Sequence, residues 1–291
     1  MNMSESPLFS VLIANYNNGC YLMDAIKSIC GQTYDNWEIV LVDDGSTDNS
    51  AELYQELSAD SRIRIFRNDR NRGAGYTKGR CASEARGVLC GFVDPDDLLA
   101  SREALAIMVQ AHLDYPEASM IYSGYYVTDE NLTVLGERRG IPLHGASAMD
   151  TQDWPYKHFI SFKKAKYDQT VGIDPLMKRC VDYDMYYKLE EVGETVHIDH
   201  LLYYYRQNPH SISLNDNSYK SRAWHTYTCV EAMKRRGLTD EKYMLYPIEG
   251  LLKRENKKVT EHIKETRTYR VGEAVLRPMK WICGLFEHLK G

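Results

Sequence analysis

The first 100 residues alternate short apolar runs with stretches whose apolar positions recur every three to four residues. Residues 9–14 (FSVLIA) read as a buried strand, and Leu22, Ala25, Ile26 and Ile29 at i, i+3, i+4, i+7 mark a helix laid on a sheet. Residues 38–43 (EIVLVD) predict a second strand, 48–57 a second helix, 62–66 a third strand, 76–86 a third helix and 89–93 a fourth strand. This alternation implies right-handed crossovers and an α/β fold, a mainly parallel central sheet flanked by helices. In such sheets ligands sit beyond the carboxyl ends of the strands. Three polar clusters fall on that edge: NYNN (15–18), DDGSTD (43–48) and DPDD (94–97).

Residues 101–215 are less regular. Leu105, Met108, Val109 and Leu113 predict a helix over 101–115, residues 119–127 and 132–135 read as strands, and 142–155 as loop. A helix is expected over 175–192 and one or two strands over 195–205. From residue 218 the chain reads as helical and basic. The organisation expected is therefore a first half (1–100), a second half of the same domain (101–215) and a helical C-terminal extension (216–291).

Composition narrows the class. With 43% hydrophobic and 26% charged residues in 291, the chain can bury a sizeable core, which excludes fibrous and disordered readings. No apolar run reaches about 18 residues, the length that would suggest a spanning helix. The first seven residues lack the apolar core of a signal peptide, so a cytoplasmic protein is expected. Seven cysteines without a CxxC pair predict reduced, mostly buried thiols. The 22 tyrosines and four tryptophans suit surfaces that bind sugars, or a Tyr-rich core. From Asp216 onward 16 Lys and Arg face 10 Asp and Glu, while the remainder carries 20 against 31. An acidic body with a basic tail suggests two functional regions. The pI near 6.0 argues against a nucleic-acid partner.

The DPDD cluster carries the most chemistry. A helix cap or Asx turn explains one of its aspartates, and three carboxylates in four residues call for a divalent cation, Mn²⁺ or Mg²⁺. In the second cluster Gly45 permits a tight turn, Asp48 or Ser46 caps the next helix, and Asp44 at the strand end can face a ligand.

The ordered series SVLIANYN (10–17), SICGQTY (28–34), EIVLVDDGSTD (38–48), NRG (71–73), ARG (85–87) and FVDPDD (92–97) resembles the family 2 inverting glycosyltransferases of the GT-A fold, of the bacterial polysaccharide-biosynthesis type. The resemblance implies a nucleotide-sugar donor, UDP-linked, bound by the first half, and a glycan or lipid-linked glycan acceptor bound by the second. It places Ala14, Asn15 and Tyr16 at the donor, with Tyr16 near the base, and gives Asp44 a hydrogen bond to the base. It assigns Asp96 to the metal, with Asp94 and Asp97 as further donor contacts. Where the family often has Ala-Arg-Asn, this chain has Thr77, Lys78 and Gly79, so Lys78 is the cation offered to the donor.

In the family a Glu-Asp pair opens a helix in the second half. Here Val181 replaces the Glu, and Asp182 is expected as the catalytic base. Asp184 points elsewhere on a helix and, with His158, is expected toward the acceptor. Arg206 and His210, near the later YYYR and SIS elements, are expected as metal or diphosphate contacts. The tail residues Arg277, Lys280, Trp281, Ile282, Leu285, Phe286, Leu289 and Lys290 fit an interfacial helix on the inner membrane face, or a helix packed on the core or in a homodimer. Two other classes would leave different signatures. A nucleotidyltransferase would carry a basic Gly-rich loop after the first strand, and residues 15–19 hold no cation. A catalytically silent nucleotide-sugar or glycan binder would retain donor binding without turnover.

Overall fold

A computed structural model of the chain describes residues 6–151, 153–208, 218–239 and 261. The chain divides into two units, Met1–Thr239 and Asp240–Gly291, and all elements named below lie in the first. His210, Cys283 and the tail residues from Arg277 to Lys290 lie outside the described residues.

The first half follows the sequence pattern closely. Strand β1 (Phe9–Asn15), helix α1 (Gly19–Cys30), β2 (Trp37–Asp43), α2 (Ser50–Leu57), β3 (Ile63–Arg67), α3 (Ala74–Glu84) and β4 (Leu89–Phe92) alternate along the chain. β2 is buried at every residue, as expected of a parallel strand covered on both faces. β1 pairs in parallel with β2 and β4, and β2 in parallel with β3. Leu22, Ala25, Ile26 and Ile29 form the buried stripe of α1 and pack with Phe9, Val11 and Ile13 in the core.

The second half widens this sheet. It contributes β5 (Leu98–Leu99), α4 (Ala104–Asp114), β6 (Ala118–Thr128), β7 (Val134–Arg138), β8 (Ile160–Lys163), α5 (Lys164–Tyr167), α6 (Val181–Glu190), β9 (Glu194–Arg206) and α7 (Ser218–Arg236). The nine-stranded sheet runs β3-β2-β1-β4-β8-β6-β9-β5, with β7 paired to β6. β8 lies antiparallel between β4 and β6, and β9 runs parallel to β6. β5 pairs antiparallel with β9, at Leu98 with Tyr204 and Leu99 with Tyr203. That pairing brings Arg206 to the acidic run before β5.

One local expectation changes. The helix expected over 175–192 is confined to Val181–Glu190. Pro175 follows an Asx-type turn in which Asp174 Oδ1 accepts from Leu176 N (2.9 Å), and Cys180 has φ 54°, left-handed backbone that starts the helix afresh. Of the one or two strands expected over 195–205, the structure has one, of 13 residues. All six described cysteines are unpaired, and Cys81, Cys90 and Cys229 are buried. Among the described residues no helix is long and apolar enough to cross a membrane.

Candidate active site

β1, β2 and β4 end on one edge, and the three polar clusters follow them there. Asn15 and Asp43 are directly paired in register. Asn15 Nδ2 donates to Ser50 Oγ (3.0 Å) and Tyr54 Oη (2.8 Å), and Tyr54 Oη donates to Asp43 Oδ1 (3.0 Å). Arg67 closes on Asp43 at 3.1 Å. The Asn15 side chain is thus part of a buried network beneath the edge. Ala14 is half-buried on β1, whereas the Tyr16 ring is 44% exposed, free to offer a face to a flat ligand.

Asp44 is buried and shapes a loop. Its Oδ1 accepts from Asn68 Nδ2 (2.7 Å) and Arg72 N (2.8 Å), and its Oδ2 from Gly73 N (2.8 Å). Four lone-pair positions less three bonds leave Oδ2 able to accept once more, so a base contact there is compatible with the loop. Asp48 ties two helix starts together, accepting from Gly19 N (2.8 Å) and Ser50 N (3.1 Å), which is the capping role read from the sequence.

The third cluster lies between β4 and β5. Asp97 is buried, and its Oδ1 accepts from Arg206 N (2.8 Å). Burial, then the Asp96 and Asp94 charges, push its carboxyl well above the usual range. Burial and Asp94 raise Asp96 as well, and Asn208 Nδ2 donates to it at 3.4 Å. Arg206 is buried against the Tyr21 ring (4.6 Å), pairs with Asp24 (3.0 Å) and keeps its buried Nε without a hydrogen-bond partner among the described residues.

Lys78 joins the two halves. Its Nζ lies 3.1 Å from Asp94 Oδ1 and 2.7 Å from Asp182 Oδ1, and its side chain is 10% exposed. Burial disfavours the ammonium, but Asp182 and Asp94 together overcome that and hold it well above the usual lysine range. Asp94 moves the other way: burial raises its carboxyl, while Lys78 and then His158 bring it below the ordinary value. α3 reaches α6 because it starts on glycine. Gly75 N donates to Met177 O (2.8 Å), and a Cβ at Gly75 would sit 2.3 Å from Asp174 O. That close approach sets Lys78, one turn later, beside the first turn of α6.

Asp182 and Asp184 diverge as helical spacing requires. Asp182 is 26% exposed and faces the strand-end cluster. Asp184 is 5% exposed and held by Lys188 and Arg235, away from that cluster. His158 is brought to the site. Its ring stacks on Tyr203 (5.1 Å), and burial brings the imidazole below its ordinary value against the pull of Asp94 and Asp182.

Two further residues were not singled out from the sequence. Tyr203 Oη accepts from Asp94 N (3.0 Å) and anchors the turn. Tyr186, one turn after Asp182, is buried, and burial, Asp182 and Asp94 raise its hydroxyl well above the ordinary value. The i, i+4 spacing from Asp182 was the signal that marked Tyr186. Tyr203 had none, since its position depends on β9 pairing with β5.

The carboxylates of Asp94, Asp96 and Asp97 are hard oxygen groups of the kind Mg²⁺ and Mn²⁺ take. Among the described residues no group of three His, Cys, Asp or Glu is arranged to hold a metal ion. Such ions commonly take one or two carboxylates and complete their shell with water and substrate phosphate. Asp96 and Asp97 are carboxylates raised first by burial and then by acidic neighbours, Asp94 for Asp96 and Asp96 with Asp94 for Asp97, while Lys78 is engaged by Asp94 and Asp182 and Arg206 by Asp24. A cation at Asp96 would relieve that crowding.

The chain matches the family model described as glycosyl transferase family 2 over residues 10–173. It is 28% identical over 205 residues to a chondroitin synthase of Escherichia coli, covering 69% of this chain and 29% of that protein. It therefore spans less than a third of that relative's length. Among solved structures, S. aureus TarS 1-349 in complex with UDP-GlcNAc superposes with a TM-score of 0.60 at 17% identity, covering 89% of this chain and 74% of that one. The mannosyltransferase PcManGT from Pyrobaculum calidifontis, in complex with GDP-Man and Mn²⁺, gives 0.63 at 13% identity, covering 93% and 84%. The strand order, the three clusters at one sheet edge and the family match over more than half the chain agree: this chain belongs to glycosyl transferase family 2 and has the GT-A fold.

Proposed function

We propose that the protein is an inverting glycosyltransferase that moves a sugar from a uridine-diphosphate donor to a glycan or lipid-linked glycan acceptor in surface polysaccharide synthesis. One observation carries this reading: Lys78 brings the α6 carboxylate Asp182 to within one ammonium of the strand-end aspartates. A group able to take a proton thus stands beside the acidic cluster where a donor diphosphate would lie. The relative named as a chondroitin synthase and the neighbour bound to UDP-GlcNAc support a polysaccharide acceptor and a uridine donor.

In this mechanism Tyr16 and Asp44 hold the base, and Asp94 and Asp97 the ribose and diphosphate side. Asp182 accepts the proton of the acceptor hydroxyl as its oxygen bonds to the anomeric carbon from the face opposite the leaving group. The bond from that carbon to the diphosphate breaks, and its electron pair leaves with the diphosphate. Lys78 and Arg206 supply positive charge on that side. A divalent cation held at Asp96 would act as a Lewis acid toward the departing diphosphate. His158 and Tyr186 face Asp182 from the second half and orient the acceptor.

Calorimetry with UDP, GDP, CMP and dTDP, each with and without Mn²⁺, tests the reading. UDP is expected to bind best, to require Mn²⁺ and to lose that requirement together with its affinity in Asp96→Ala. Binding of none of the four, or binding indifferent to Mn²⁺ and to Asp96, would move the silent-binder class to the front.

A further inference from the structure

Lys78 has two partners with different tasks. Asp94 belongs to the donor edge, and Asp182 is the base of the reading above, 104 residues further along the chain. An ammonium carries a single positive charge, and these two carboxylates already share it. Its surroundings give it little else: the Phe92 ring lies 5.1 Å from Nζ, and His158 and Tyr186 face the same pair of carboxylates. Buried charges of this kind stay where their partners are. Arrival of a second anion on the donor side therefore changes what the ammonium can hold.

We propose that Lys78 is a positioning residue that latches Asp182 in an ion pair while the donor site is empty and turns to the diphosphate when the donor binds, so that the base becomes available only with the donor in place. The inference rests on the assignment of a nucleotide-diphosphate donor and of Asp182 as base, and it adds the residue that couples the two. A lysine suits such a task better than an arginine. Its ammonium is a point charge on a flexible stem, whereas a guanidinium clamps a carboxylate in a planar fork.

The latch makes a prediction that a purely structural ion pair does not. If Asp182 and the diphosphate compete for one ammonium, removing the Asp182 charge should improve diphosphate binding. UDP and uridine affinities would be measured by calorimetry at saturating Mn²⁺ for wild type, Asp182→Asn, Lys78→Met and the double variant. Asp182→Asn is expected to bind UDP roughly tenfold more tightly, the scale of one charge-assisted hydrogen bond. Uridine, which has no phosphate, should bind both proteins equally. In the Lys78→Met background the gain should vanish, because no ammonium remains to be released. Lys78→Gln, which keeps hydrogen bonds to both carboxylates, replaces Lys78→Met if circular dichroism shows the latter unfolded.

Unchanged UDP affinity in Asp182→Asn, a gain shared by uridine, or a gain that persists without Lys78 would overturn the latch while leaving the donor assignment intact. Failure of wild type to bind any of the four diphosphates would overturn the donor assignment and the latch with it.

Discussion

Two charged regions meet at helix α6, and they are built on opposite plans. On the side of α7, Asp184 is engaged by Lys188 and Arg235, Glu191 by Arg235 (2.9 Å) and Arg236 (3.1 Å), and Glu190 by Arg236 (3.1 Å). Every carboxylate there has a cation, and Lys188 also donates to Gly172 O (2.7 Å). On the strand-end side, Asp94 and Asp182 share Lys78, Arg206 pairs with Asp24, and no ion pair among the described residues reaches Asp96 or Asp97. Asp96 and Asp97 are left crowded, with carboxyls raised above their usual range. Compensated charge holds α6 against α7. Uncompensated charge is what the proposed cation and donor diphosphate would meet.

Substitutions two residues apart on α6 should therefore have different consequences. Asp182→Asn is expected to lower sugar transfer about 1,000-fold, within the span of general-base catalysis. Its melting temperature should stay within about 2 °C of wild type, since the residue is partly exposed. Initial rates with a UDP-sugar, paired with thermal melts, check this; a loss under tenfold would remove Asp182 from the role of base.

Asp184→Ala should do the reverse. Leaving Lys188 and Arg235 without their buried partner is expected to cost about 3–5 kcal/mol of stability. For a unit of this size that is a fall on the order of 10 °C in the melting temperature. UDP affinity of the folded fraction should not change. A melting curve that overlays wild type would show that the two regions are not distinguished by charge compensation.

The smallest effect concerns Asp97. Its folded carboxyl is raised, so the native state holds the proton more tightly than the unfolded chain does. Stability then falls as pH rises through the window above the usual carboxylate value, and stays lower beyond it. Asp97→Asn keeps a carbonyl oxygen for Arg206 N and removes the charge. In chelator-treated protein it should gain on the order of 1 kcal/mol at pH 8 and lose that advantage toward pH 4. Urea melts at the two pH values measure it. An equal effect at both would mean that the Asp97 charge carries no penalty.

Much of the first half was legible in the residues because its signals are local. Parallel strands buried on both faces, such as Trp37–Asp43, read as unbroken apolar runs, and the polar residue after each run marks the sheet edge. The buried stripe of α1 and the bond from Ser50 N to Asp48 at the start of α2 followed from spacing and capping, whereas the bond from Gly19 N to Asp48 did not. The opposite orientations of Asp182 and Asp184 followed from helical geometry. The shortened α6 was harder, because the left-handed Cys180 has no glycine to announce it. β8 went unread: its four residues gain their role only from β4 on one side and β6 on the other.

The sequence alone determined the α/β alternation, the parallel core and the convergence of Asn15, Asp44 and Asp94–Asp97 on one edge. These depend on patterns within a few residues and on the fixed handedness of crossovers. Only the tertiary structure decided that Lys78 binds Asp182 as well as Asp94, that the Asn15 side chain turns down to Ser50 and Tyr54, and that Tyr203 and Tyr186 complete the site. Those contacts join residues up to 109 positions apart, such as Asp94 and Tyr203. They arise from strand pairing and from the close approach at Gly75, which no local pattern records.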